Sequence, residues 1–274
     1  MDGIVFGESP RWHDGRLWFS DWGAGRVWSV AEGEEPTVEA ETEALMCIDF
    51  LPDGRLLLVS PADGGRVLRR EPDGSLVLHA DLSRAAQVGW NDIVADGHGR
   101  CYVDSIGFDF PEGEFRPGLV VLVDAEGSVR VVAEGLAFPN GMAISPDGAT
   151  LVVAESYGER LTAYPIADDG SLGSAYTWAE TPGDHPDGIC FDASGALWYA
   201  DVANQHCLRL REGGEVLDSV DSDRGAFACA LSRDDRGDDQ PLLLVVGQDW
   251  GEWGGPPSGQ LVAFEAPEHG DGWP

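Results

Sequence analysis

FPNGMAISPDG at residues 138–148 is followed by a near copy, HPDGICFDASG at 185–195, with Pro139 over Pro186 and Gly141 over Gly188. Between those matched residues one copy carries Asn140 and the other Asp187. Glu8 and Asn91 stand at the same point of two further copies, so one repeat position presents two carboxylates and two carboxamides. Oxygen donors of this kind suit a hard divalent cation such as Ca²⁺, with water filling the remaining positions. Zinc would instead recruit His or Cys nitrogen and sulfur. Glu8 and Asp187 together bring two negative charges, enough to neutralise one dication, whereas four acids in one place would repel one another. Asn-Gly and Asp-Gly are also common turn formers, and turn chemistry is the alternative reading of Asn140 or Asp187 taken alone.

The elements that position these residues follow from the repeat. Six segments combine an apolar strand, a D-G-like turn and a second apolar strand: SPRWHDGRLWFSD from residue 9, CIDFLPDGRLLLVS from 47, NDIVADGHGRCYVD from 91, NGMAISPDGATLVVAES from 140, DGICFDASGALWYAD from 187, and ACALSRDDRGDDQPLLLVVGQD from 228. Their turns recur about every 44 residues, the length of a four-stranded propeller blade. Each hairpin is followed by a further strand pair such as GRVWSV or RLTAYPI, and ADLSRAAQV at 80–88 is the best candidate for a helical turn. The pattern predicts an all-β, six-bladed β-propeller of four-stranded antiparallel blades around a central, metal-containing channel, in one domain over residues 1–274. Residues Gly3 to Phe6 are expected to supply the outer strand of the last blade, beside GQLVAFE at 259–265, so that the ring closes without an exposed edge.

In such a blade the first strand starts at the channel. The axis position then reads Glu8, Cys47 or Ile48, Asn91, Asn140, Asp187, and Phe227 or Ala228. Loops after the second strands return to the same face and are expected to wall the pocket. They carry Asp21 with Trp22, Ser60 with Pro61, Asp104 and Ser105 with Phe108, Glu155 with Tyr157, Asp201 with Asn204, and Asp249 with Trp250. Polar groups with interspersed aromatics suit a small hydroxylated ligand. His185, two residues before Asp187, is read either as a proton-transfer group or as a locally hydrogen-bonded side chain. His13 and His98 fall in turns and are expected to be solvated.

Composition narrows the partners. The 49 acidic residues face 17 basic ones, all arginine, for a net charge of −32, which disfavours nucleic acid. No apolar run reaches a membrane-spanning length, and the N-terminus shows no secretory pattern. The five cysteines, at 47, 101, 190, 207 and 229, show no CxxC spacing and read as reduced and buried, as expected in the cytoplasm. No GxSxG elbow or phosphate-binding glycine loop is evident. The sequence leaves the oligomeric state open.

GESPRWHDGRLWFSDW, WND at 90–92, FPNGMAISPDG and HPDGICFDASGALWYAD resemble the SMP-30/gluconolactonase/regucalcin-like family of calcium-dependent six-bladed propellers over nearly the whole chain. Diisopropylfluorophosphatase-like propellers carry a similar Glu, Asn, Asn, Asp quartet, and strictosidine synthase is a more distant relative on the same fold. The resemblance implies a metal-dependent hydrolase of lactones, sugar lactones in the first place, with phosphotriester hydrolysis or a non-catalytic calcium-binding propeller as rivals. It makes Glu8, Asn140 and Asp187 metal ligands, and Asn91 a contact to metal or substrate. It favours Asp187 as the base, an attack by Asp187 on the substrate being the alternative. Asn91, Asp104, Ser105, Phe108, Tyr157, His185 and Trp250 are the expected substrate contacts. Ca²⁺ is the implied ion, with replacement by Mg²⁺, Mn²⁺ or Zn²⁺ left open. Where many bacterial relatives read G-N-F-G-F-D, this chain reads DSIGFDF at 104–110, which puts an acid, Asp104, near the expected pocket.

Overall fold

The computed structural model describes residues 1–233, 240–249 and 256–272. Among these, the chain forms six four-stranded antiparallel sheets. The inner strands are Gly7–His13, Ile48–Phe50, Trp90–Ala95, Pro139–Ile144, Pro186–Phe191 and Gly225–Leu231. In the first five blades the chain runs outward from strand to neighbouring strand. The sixth blade takes its outer strand from the N-terminus: Asp2–Ile4 pairs antiparallel with Gly259–Glu265. The ring is therefore closed by hydrogen bonds between the two ends of the described chain. This is the expected six-bladed propeller, with the closing strand starting one residue earlier and ending two earlier than the sequence suggested.

Period-two alternation builds the core. In the third blade Ile93, Ala95, Cys101 and Val103 pack toward the second blade, while Val94 and Tyr102 pack toward the fourth. Each sheet is thus apolar on both faces, and stacking one blade on the next removes both from water. The first hairpin turns at Asp14 (φ 51°) and Gly15 (φ 71°), the two-residue type I′ geometry that matches strand twist. ADLSRAAQV forms no helix. Its first two residues complete the strand Leu76–Asp81 and the rest is turn and bend. His13, expected in solvent, instead stacks on Phe50 at 3.8 Å between ring centroids. All five cysteines are free and buried. Among the described residues no helix is long and apolar enough to cross a membrane.

Candidate functional site

Glu8, Asn91, Asn140 and Asp187 are each the second residue of an inner strand. In all four blades the ladder breaks register at or directly after them, between Glu8 and Arg11, Trp90 and Ile93, Pro139 and Met142, and Pro186 and Ile189. An irregularity of this kind bends the strand and re-aims a side chain. All four residues line one cavity of about 600 Å³ at the end of the channel. Asn91 Nδ2 donates to Asn140 Oδ1 at 3.0 Å, and Asn140 Nδ2 donates to Ser156 Oγ at 3.3 Å. Ser156 Oγ in turn donates to the Pro186 carbonyl at 2.8 Å, tying the fourth blade to the strand that carries Asp187.

The next residue in each inner strand faces the neighbouring blade. Ser9 (φ 55°) sits in the left-handed region and is held there by the first and second blades together. Its Oγ donates to Ile48 O at 2.8 Å and accepts from Ile48 N at 2.9 Å. Asp49 accepts from Ala95 N at 2.6 Å, and Asp92 from Met142 N at 2.8 Å. At the following two blades there is no room for a side chain. A Cβ on Gly141 would stand 2.4 Å from the Asp187 carbonyl, and one on Gly188 would stand 2.5 Å from Ala228 Cβ. Pro139 with Gly141 and Pro186 with Gly188 are therefore strand residues, and the turn reading of Asn140 and Asp187 is corrected. Neither glycine has a positive φ. They are glycines because converging strands approach one another closely there.

Beneath the quartet lies a second, water-sized cavity of about 10 Å³ lined by Glu8, Arg11, Asp92 and Cys47 among others. Arg11 is 5% exposed. Its Nη2 reaches Asp92 Oδ1 at 3.2 Å and Ile93 O at 2.9 Å, and its Nε stands 3.5 Å from Asp49. Among the described residues no other Arg, and no Lys, lines either cavity. The carboxylates are accordingly starved of positive charge. Burial, then the Asp92 charge, pushes Glu8 up to about 8. Burial followed by repulsion from Glu8 drives Asp187 well above the usual carboxylate range, against a hydrogen bond from Asn140. Asp187 Oδ1 is buried with no hydrogen-bond partner. An orphaned carboxyl oxygen beside a second raised carboxyl and two carboxamides is an arrangement that a dication, by favouring the ionised forms, relieves.

Other expected contacts divide. Phe108, Tyr157 and His185 line the cavity with Trp22 and Pro61. The His185 ring makes a 2.9 Å hydrogen bond from Nδ1 to the Ser156 carbonyl. Because a carbonyl can only accept, Nδ1 carries the proton, and Nε2 is left as the acceptor of the neutral ring. Asp104 and Ser105 do not line the cavity, both being 0% exposed. Asp104 Oδ1 accepts from Asp92 N at 2.7 Å, and Ser105 Oγ donates to Val88 O at 2.8 Å. They are the last two residues of the buried second strand Cys101–Ser105, so the loop that returns to the cavity begins after them rather than at them. Trp250 lies outside the described residues.

Asp21, Glu155 and Asp201, also expected on the pocket wall, point into backbone instead. Asp21 accepts from Val5 N and Phe6 N at 3.1 and 2.8 Å, Glu155 from Ala137 N at 2.6 Å, and Asp201 from His185 N at 2.7 Å. Each closes the last residue of a second strand onto the segment that enters the inner strand, two or three residues before Glu8, Asn140 or Asp187. They position the quartet from behind. Asp201 also belongs to a cluster with Asp184 and His206 whose ligating atoms lie within 4.8 Å of one another. His206 Nε2 is 2.9 Å from Asp184 Oδ2, and Tyr199 donates to the same oxygen at 2.5 Å.

A sequence profile for the SMP-30/gluconolactonase/LRE-like region matches residues 6–238. The chain belongs to this family. Within and around the SMP-30/gluconolactonase/LRE-like family, it is 29% identical over 232 residues to a 6-deoxy-6-sulfogluconolactonase of Pseudomonas putida, covering 79% of this chain and 75% of that one. It is 30% identical over 209 residues to the pentonolactonase XacC of Haloferax volcanii, covering 71% and 66%. Among solved structures it superimposes on regucalcin, a calcium-binding protein of Agrobacterium tumefaciens, with a TM-score of 0.79 at 21% identity over 98% of this chain and 92% of that one. That last likeness speaks for the fold.

For this SMP-30/gluconolactonase/LRE-like chain, sequence reasoning passed over Arg11, Asp49 and Asp92, although all three stand in the quoted repeats. The signal was present: Asp49 and Asp92 occupy the repeat position where other blades carry Ser9, Gly141, Gly188 and Ala228. Phe227, one of the two residues read at the axis position of the sixth blade, lines the cavity, as do Phe6, Phe110 and Phe138, which carried no such mark.

Proposed function

We propose that this chain is a metal-dependent lactonase, with Glu8, Asn91, Asn140 and Asp187 as the ion's ligands and Asp187 as the base. The observation that carries the reading is the convergence of these four oxygen donors on the large cavity, with Asp187 Oδ1 buried and unpartnered. A lactone ring is the reacting group that the names of both enzyme relatives share, and sugar lactones are the substrates the family resemblance suggests. The all-oxygen donor set suits Ca²⁺ best, and Mg²⁺, Mn²⁺ and Zn²⁺ are the replacements to test.

A bound dication supplies Lewis-acid polarisation of the carbonyl and positive charge for the developing oxyanion. The protein's own part is proton transfer and placement. Asp187 takes a proton from the attacking water as the water oxygen bonds to the carbonyl carbon. When the acyl–oxygen bond breaks, the ring oxygen receives that proton and a hydroxy acid leaves. Asn91 and Asn140 cannot act as bases. The Nδ1 hydrogen bond of His185 to Ser156 fixes its ring, which leaves Nε2 as the other acceptor on the cavity wall.

Asp187→Asn keeps an oxygen ligand and removes the base. It is expected to lower kcat at least a hundredfold, in line with general-base contributions of about 10²–10⁴, while calorimetry still detects Ca²⁺ binding. Glu8→Gln is expected mainly to weaken the ion. Near-original turnover by metal-loaded Asp187→Asn would remove Asp187 from this role.

A further inference from the structure

The quartet accounts for the floor of the cavity and leaves its walls unexplained. A polyhydroxylated ring asks for donors and acceptors on every side, since each hydroxyl buried without a partner is a loss. Above the quartet the described walls offer few, chiefly the Asp109 carboxyl and Nε2 of His185. Phe108, Phe110 and Phe138 form one side, with Phe110 and Phe138 ring centroids 5.3 Å apart and Phe108 and Phe138 5.8 Å apart. Phe6, Trp22 and Phe227 form another, with Phe6 4.3 Å from Trp22 and 5.3 Å from Phe227. Ser156 Oγ and His185 Nδ1 are already committed to protein partners. Among the described residues no Lys or Arg lines the cavity, so a sulfonate, phosphate or carboxylate on the substrate's substituent finds no cationic side chain on the walls. The chain's net charge of −32 opposes its approach as well.

We infer that the preferred substrate is an uncharged lactone bearing an alkyl or aryl substituent, which the two aromatic walls take up while the ring carbonyl faces the quartet. This inference rests on the lactonase reading for the reacting group and on the wall residues for the substituent. It departs from the sugar lactone that the family resemblance suggests. Removing a methylene from water is worth about a fourfold gain in binding at ~0.8 kcal/mol, so transition-state affinity rises with chain length until the cavity of about 600 Å³ is filled.

The test compares kcat/KM of the Ca²⁺-loaded protein on γ-butyrolactone, γ-hexanolactone, γ-octanolactone and glucono-δ-lactone. A second arm titrates 2-hexylcyclopentanone, which cannot be hydrolysed, into metal-free protein by calorimetry. Expected are a rise of roughly two hundredfold from butyrolactone to octanolactone at about fourfold per methylene, glucono-δ-lactone well below octanolactone, and measurable binding of the ketone. Phe110→Ala is expected to reduce the octanolactone-to-butyrolactone ratio, and Tyr157→Ser, at a residue 52% exposed, tests the rim without disturbing the core. A flat series with glucono-δ-lactone fastest and no ketone binding overturns this inference and leaves the lactonase reading standing. Ketone binding with no hydrolysis of any lactone overturns the lactonase reading and supports the apolar-ligand assignment.

Discussion

Arg11→Met probes the charge balance under the site. The methionine keeps most of the buried stem and deletes the guanidinium that stands 3.2 Å from Asp92 and 3.5 Å from Asp49. Both acids are nearly inaccessible, at 6% and 4% exposure, so water cannot replace the lost partner. Removing one member of a buried pair costs about 3–5 kcal/mol, and at roughly 2 °C per kcal/mol for a chain of this size the melting temperature of metal-free protein should fall by about 6–10 °C at pH 7.5. The loss should shrink on acidification. Burial raises Asp49 to about 6 even with Arg11 present, so below that pH its carboxyl is neutral and needs no compensation. Arg11 also lowers Glu8 through space. Without it Glu8 holds its proton more tightly in metal-free protein and no guanidinium opposes an incoming cation, so saturating Ca²⁺ should raise the melting temperature more in the variant than in the original protein. Calorimetric melts with chelator and with Ca²⁺, at pH 5 and 7.5, read all three effects. A loss under 2 °C at pH 7.5, or one that grows toward pH 5, would refute the reasoning.

Gly141→Ala forces a Cβ to 2.4 Å from the Asp187 carbonyl. Overpacking of this kind costs about 1–3 kcal/mol, and since the blade carrying Asp187 must shift, weaker Ca²⁺ binding should accompany a lower melting temperature. Unchanged calorimetric affinity would separate the glycine from the site. The raised Glu8 carboxyl gives a pH signature. A folded-state value of about 8 against the ordinary 4.5 means that the native metal-free protein holds the proton more tightly than the unfolded chain. This contribution is full below about 4.5 and is lost as pH rises through about 8. Metal-free protein should therefore lose stability between pH 5 and 8, and Ca²⁺ uptake at pH 7 should release protons, read as a dependence of binding heat on buffer ionisation enthalpy.

The ring of blades was legible because a propeller writes itself as a period: strand, D-G turn and strand recur, and the oxygen carriers fall at one phase of that repeat. The closing strand at Asp2–Ile4 was legible for the same reason, an apolar scrap before the first repeat having only the last blade to pair with. What stayed hidden depends on direction in space. Asp104 reads as a loop acid, yet it is the penultimate residue of a fully buried strand and spends one oxygen on Asp92 N. Asp21, Glu155 and Asp201 are near the pocket, and only coordinates reveal that their oxygens turn to backbone N–H groups. Asn140-Gly141 and Asp187-Gly188 carry the composition of turns, and the physical cause of their glycines is the close approach of Gly141 to Asp187 and of Gly188 to Ala228, on the next inner strand in each case. Of the aromatic walls, Trp22, Phe108, Tyr157 and Phe227 follow from their places in the repeat, whereas Phe6, Phe110 and Phe138 come from separate segments that no local pattern announces.

The central claim is that lactone hydrolysis here depends on a cation held by Glu8, Asn91, Asn140 and Asp187. Its most direct test is pH-stat hydrolysis of γ-octanolactone and glucono-δ-lactone by one preparation as purified, after chelation with metal removal verified by elemental analysis, and after Ca²⁺ is returned. The account predicts that turnover of whichever lactone is accepted falls at least a hundredfold on chelation and returns with about one equivalent of Ca²⁺. Turnover that persists in verified metal-free protein would contradict it.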